Sequence, residues 1–165
     1  MKTATGVFIL AVVLLTAVPA IRARQTEAAR AKAAEMARAA AEARRGDYVT
    51  AASVALTAVQ DIQSVVGGGT IYSDYCTRVA DARIAVDRFL RSHPEDLLPP
   101  SRKRLEQAIA CYELAARDWQ RKIVDRADAA MHEAMIQEGW RLASEHITAV
   151  EAALAGRPIA DSTVK

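Results

Sequence analysis

Residues 101–124, SRKRLEQAIACYELAARDWQRKIV, decide the fold. Leu105, Ile109, Tyr112, Ala116, Trp119 and Ile123 recur at alternating steps of four and three. That spacing gathers side chains on one face of an α-helix and scatters them over both faces of a strand. It resumes at Ile136, Trp140, Ala143, Ile147, Val150 and Leu154, which predicts a second helix from Ala129 to Ala155, ended by Gly156 and Pro158. Between the two, a stride of seven from Leu105 meets charge at Arg126 and Glu133, so the chain is expected to bend and recap at Asp125 and Asp128.

Upstream the same logic repeats. Ile71 to Ser92 places Tyr72, Cys76, Val79, Val86, Phe89 and Leu90 on one face, interrupted by Arg83, which is expected to snorkel or to pair with an acid on a neighbouring helix. The following HPEDLLPP, residues 93–100, predicts a chain reversal. Val49, Ala52, Leu56, Val59, Ile62 and Val66 mark another helix, which Gly46 as C-cap and Asp47 as N-cap separate from what precedes it. Gly67, Gly68 and Gly69 break the chain again, with Thr70 or Ser73 available to cap the next helix. The turn Arg45 to Tyr48 with Ala51 resembles the inter-helix turn of a tetratricopeptide repeat. No second copy follows at a period of about 34 residues, so the likeness is read as generic helix-hairpin chemistry.

The expected fold is all-α: an antiparallel four-helix bundle preceded by an alanine-rich helix. Composition agrees, since the 165 residues are 52% hydrophobic but only 5% aromatic, with seven glycines and five prolines, which suits helices better than a sandwich or barrel. The organisation reads as a signal peptide over 1–20, a basic alanine-rich helix over 21–45, the bundle over 47–156 and a flexible tail over 157–165. Lys2 followed by the apolar run Val7 to Val18, with helix-ending Pro19 and small Ala20, fits a cleaved export signal to a periplasmic or secreted location. The alternative is an uncleaved membrane anchor, because Thr3 to Ile21 carries no charge.

A formal net charge of +2 gives no reason to expect nucleic acid as a partner. Locally, residues 21–45 hold seven basic side chains against three acids. Arg38, Arg44 and Arg45 there, with Arg102, Lys103 and Arg104 at a helix start, are candidate contacts for an acidic protein partner. Cys76 and Cys111, on helices joined by the proline-rich reversal, are expected to form a disulfide in an oxidising compartment. Met131, His132 and Met135 put two thioethers and an imidazole within little more than a turn, a candidate ligand or soft-metal site. No second His follows His132 at the zinc-hydrolase spacing, since that position is Ile136, and no metal or other cofactor is expected. Tyr112, Trp119 and Trp140 read as core.

Asp74 with Arg78, Asp87 with Arg91, Glu113 with Arg117, Asp118 with Lys122 and Glu138 with Arg141 read as solvated ion pairs along single helices. With no convergent acid–base or nucleophile set, the expectation is a non-enzymatic exported protein. It would bind another protein through a helix face, as an inhibitor, immunity-type protein or envelope adaptor, or bind a second copy of itself. The alternative is a small-molecule or metal carrier with its site between bundle helices.

Overall fold

The computed structural model describes residues 4–126 and 128–158, with side chains from residue 26 onward. Four helices follow in order: α1 (Ala4–Gly67), α2 (Tyr72–Ser92), α3 (Ser101–Val124) and α4 (Ala129–Leu154). No strand occurs among the described residues. The chain divides into two compact units, Met1–Arg44 and Arg45–Lys165. The second is the antiparallel four-helix bundle, formed by the C-terminal part of α1 with α2, α3 and α4.

The bundle core collects the apolar faces read from the sequence. Ala52, Leu56, Val59 and Ile62 of α1 meet Val79, Val86 and Phe89 of α2, Leu105, Ile109 and Tyr112 of α3, and Ile136, Ala143, Ile147 and Val150 of α4. The buried arcs are shifted slightly from the expected ones. Tyr75 is fully buried where Tyr72 and Cys76 were expected, and Ala115 and Asp118 lie deeper than Ala116 and Trp119. Ile123, in the last turn of α3, is exposed. Trp119 and Trp140 pack half-buried at the core's edge.

Three local expectations need correction. Gly46 and Asp47 do not separate two helices, and Pro19 does not end one, since α1 runs through all three positions. Nothing stands within 4 Å of where a Gly46 side chain would begin, and Thr50 donates to the Gly46 carbonyl, so the glycine is an ordinary helical residue. Strong helix formers on both sides outweigh the roughly 1 kcal/mol that one interior glycine costs. Neither Thr70 nor Ser73 caps α2, whose cap residue Ile71 has no side-chain bond; Ser73 turns to Asp74 instead.

The third correction concerns the cysteines. Cys76 and Cys111 are both free. Their levels along the bundle agree, because Tyr75 Oη, one residue from Cys76, donates to the carbonyl of Tyr112 at 2.9 Å. One residue around each helix is about 100° of rotation, however, and that sets the bonding directions apart. Cys111 lies where α3 backs onto Gly139 of α4, while the Cys76 thiol bonds with Tyr72 on its own helix. Burial pushes the Cys111 thiol above its ordinary value.

Other boundaries follow the sequence reading. Gly69 and Gly156 take left-handed backbone conformations. Gly156 N–H bonds to Ala153 O and Arg157 N–H to Ala152 O, the paired bonds of a Schellman C-cap closing α4. The break between α3 and α4 falls between Val124 and Ala129, at the two aspartates. The tail beyond residue 158, and the side chains of the proposed signal segment, lie outside the described residues.

Candidate functional site

Two regions of the molecule can meet a partner. The first is α1 from Thr26 to Arg44, in which every residue is exposed around the whole helix. Ala29, Ala33, Met36, Ala40 and Ala43 follow the four-three spacing and share one face, with Met36 65% exposed. Glu27, Arg30, Glu35, Arg38 and Glu42 lie towards the opposite face, as on a solvated helix. Arg38 and Arg44 belong to this exposed stretch, Arg44 Nε reaching back to the carbonyl of Ala40, and Arg45 begins the second unit. The region Thr26–Gly67 also holds a window long and apolar enough to cross a bilayer, with mean hydropathy 1.3. Part of α1's apolar content fills the bundle core, through Ala52, Leu56, Val59 and Ile62.

The basic trio at the start of α3 is largely committed within the bundle. Arg102 donates from Nη2 to Leu90 O at 2.8 Å, and its backbone N–H bonds to Asp96. Arg104 Nη1 lies 3.0 Å from His146 Nδ1 on α4. Burial and the Arg104 charge hold the His146 imidazole below its ordinary range. The anchor of this end is Asp96, which sequence reasoning passed over as part of a loop. It receives Tyr48 Oη at 2.5 Å, Ser101 Oγ at 3.1 Å and the N–H groups of Leu98 and Arg102. Tyr48 and Ser101 are wholly buried and bond to each other at 2.7 Å.

The second region is the far end of the α3–α4 seam. Asp118 is completely buried, which corrects its reading as a solvated partner of Lys122. Lys122 instead crosses to Glu133 of α4 at 2.5 Å and holds that carboxyl below the usual range. Asp118 Oδ1 takes Arg121 Nη1 at 3.3 Å and stands 3.5 Å from His132 Nδ1, too far for a well-formed hydrogen bond. Asp118 Oδ2 and His132 Nδ1 are buried without a hydrogen-bond partner. Beside them opens a cleft of about 300 Å³ lined by Gln120, Arg121, Val124, Asp125 and His132.

The structure therefore parts Met131, His132 and Met135. His132 turns inward to Asp118, while Met131 and Met135 are 53% and 42% exposed. Met131 is turned about 100° around the helix from His132, and Met135, although one turn on, points to solvent while the imidazole faces Asp118, so the thioethers and the imidazole do not converge. Among the described residues no group of three His, Cys, Asp or Glu side chains has the placement to hold a metal ion. Above the seam Tyr75, Trp119 and Trp140 form a closed triangle with centroids 5.4, 5.8 and 6.0 Å apart, and Trp140 Nε1 donates to Tyr75 Oη at 3.1 Å. These rings pack against one another at the edge of the core. Arg83 pairs with Glu113 of α3 at 3.5 Å and Asp87 at 2.9 Å, the cross-helix contact its position suggested.

No protein-family model, curated protein or solved structure matches the chain.

Proposed function

We propose that the protein is a non-enzymatic, exported helical module that binds another protein through residues 26–44 of α1. The observation that carries this reading is the complete exposure of that stretch although it is helical throughout. A solvated helix draws little stability beyond intrinsic propensity, so a partner able to cover the Ala29, Ala33, Met36, Ala40, Ala43 face adds burial that the free chain lacks. Small side chains on that face let a second helix approach closely, since the interaxial distance is set by the residues at the contact. Export rests on the apolar segment over 1–20, and mass spectrometry of the mature N-terminus tests that part separately.

The binding test compares three full-length forms in pull-downs from the native host. Unaltered protein and Arg88→Glu, a change at an exposed position of α2 in the bundle, are expected to retain the same partner. Ala33→Glu/Ala40→Glu, which places charge in the middle of the proposed face, is expected to lose it. Equal capture by all three forms overturns the assignment. Sedimentation of the purified chain identifies self-association if the lost partner is a second copy.

A further inference from the structure

We propose that the partner of the exposed α1 stretch is an acidic α-helix, whose carboxylates seat against Lys32 and Arg44 on either side of the line Ala29, Ala33, Met36, Ala40, Ala43. The inference rests on the protein-binding reading above and adds the chemistry of what is bound.

Successive residues of an α-helix turn by about 100°, so Lys32 and Arg44 stand about 60° to either side of that line. Glu27, Glu35 and Glu42 are all about 120° or more away from it. The rims of the face are therefore positive and its acids are turned away. Both cations are exposed, and among the described residues neither makes an ion pair. Arg44 only reaches back to the carbonyl of Ala40. Lys32 leaves Glu35 untouched at a spacing of three, the spacing that joins Asp118 to Arg121 and Glu138 to Arg141 in the bundle. This charge is free to meet carboxylates from outside. Lys32 and Arg44 lie about 18 Å apart along the axis, a span that one partner helix of a little over three turns covers. Because they occupy opposite rims, the acids required of the partner flank its own apolar line on both sides, as charged residues flank the seam of a paired helix. A second copy is the poorer occupant, since it presents the same two cations at the seam and brings no acid there. An anionic bilayer fits less well too. Met36 is the only large apolar side chain between Thr26 and Arg44, and a helix seated in a membrane interface draws on several such as Leu, Phe or Trp.

The test uses three full-length forms, with folding checked by circular dichroism: unaltered protein, Lys32→Glu/Arg44→Glu and Ala33→Glu/Ala40→Glu. Each is titrated at low salt, by fluorescence anisotropy, against two labelled helical peptides of about 22 residues, long enough to hold a helix. The peptides share an Ala/Leu face and differ only in carrying Glu or Lys on both rims. Unaltered protein is expected to bind the Glu-rimmed peptide about tenfold more tightly than the Lys-rimmed one, the effect of two exposed pairs gained in one complex and two like-charge contacts made in the other. High salt narrows the difference. Lys32→Glu/Arg44→Glu is expected to reverse the preference, and Ala33→Glu/Ala40→Glu to lose the Glu-rimmed peptide. Absence of saturable binding, no preference in the unaltered protein, or a preference that the charge reversal leaves unchanged overturns the proposal. If Ala33→Glu/Ala40→Glu alone weakens binding, the helix-face reading survives that failure; if neither variant changes binding, both fall. Self-association in sedimentation that outcompetes the peptides assigns the face to a second copy, and capture by phosphatidylglycerol vesicles that depends on Lys32 and Arg44 assigns it to lipid; either result also overturns the proposal.

Discussion

Replacing Asp96 by alanine removes one carboxylate from four hydrogen bonds at the α2–α3 turn. Two come from the hydroxyls of Tyr48 and Ser101, both fully buried, and two from the N–H groups of Leu98 and Arg102. The Arg102 N–H lies in the first turn of α3, where loss of a side-chain acceptor costs about 1 kcal/mol. The Tyr48 bond has a charged acceptor at 2.5 Å, which puts its loss at about 1.5 to 3 kcal/mol. Because Tyr48 keeps Ser101 as a partner at 2.7 Å, the lower part of that range applies. The sum, about 2 to 4 kcal/mol, is a large share of the 5 to 15 kcal/mol typical of a domain. Asp96→Asn keeps one acceptor oxygen and is expected to lose roughly half as much. Urea unfolding followed by circular dichroism gives both values. A double-mutant cycle with Tyr48→Phe isolates the pair and is expected to show coupling of at least about 1 kcal/mol. A loss below about 0.5 kcal/mol for Asp96→Ala, with no coupling to Tyr48, refutes the argument.

Asp118→Ala alone is expected to cost about 1 to 3 kcal/mol, since it removes the carboxylate that faces Arg121 and His132, whereas Asp118→Leu combined with His132→Leu is expected to fall within about 1 kcal/mol of the parent. Chemical denaturation decides, and equal losses would show that the buried pair is not the source. Gly139→Val drives a branched side chain towards Ala115 Cβ and the Cys111 carbonyl, each 3.2 Å from where Cβ alone would sit. A cost of about 1 to 3 kcal/mol follows, read as a lowered melting temperature, while Gly139→Ala loses less because helix propensity offsets part of the crowding. His146 has a folded-state value below that of the unfolded chain, so the unfolded state takes up its proton first on acidification. Its contribution is complete above the ordinary imidazole value of about 6.5 and is lost as pH falls from there through the folded value. His146→Gln is expected to flatten stability against pH in that window, and an unchanged slope in the variant counts against it.

The bundle was legible because its signals are redundant. Each helix repeats its apolar spacing five or six times, so a shift of one residue, as from Cys76 to Tyr75, leaves the element intact. The turns signalled by Gly67 to Gly69, Pro94 to Pro100 and Gly156 followed for the same local reasons. Single capping residues were weaker guides: Gly46 and Asp47 had the right chemistry for a break, yet the helix formers around them prevailed. The candidate cleft was not legible. Asp118 with Lys122 has the spacing of a surface pair, and nothing local reveals that the preferred partners are Arg121 and a histidine 14 residues on. The signal available was that Asp118 continues the series Leu105, Ile109, Tyr112, Ala115, which marks an acid on the inward face. Asp96 was similarly hidden, since its partner Tyr48 is 48 residues away.

The unlinked state of Cys76 and Cys111 bears on how the polypeptide is made. A bundle held by side-chain packing, with no covalent cross-link among its described parts, is expected to fold without a thiol oxidase or disulfide isomerase. Produced in a reducing cytoplasm, it is expected to reach the same final conformation as in an oxidising envelope.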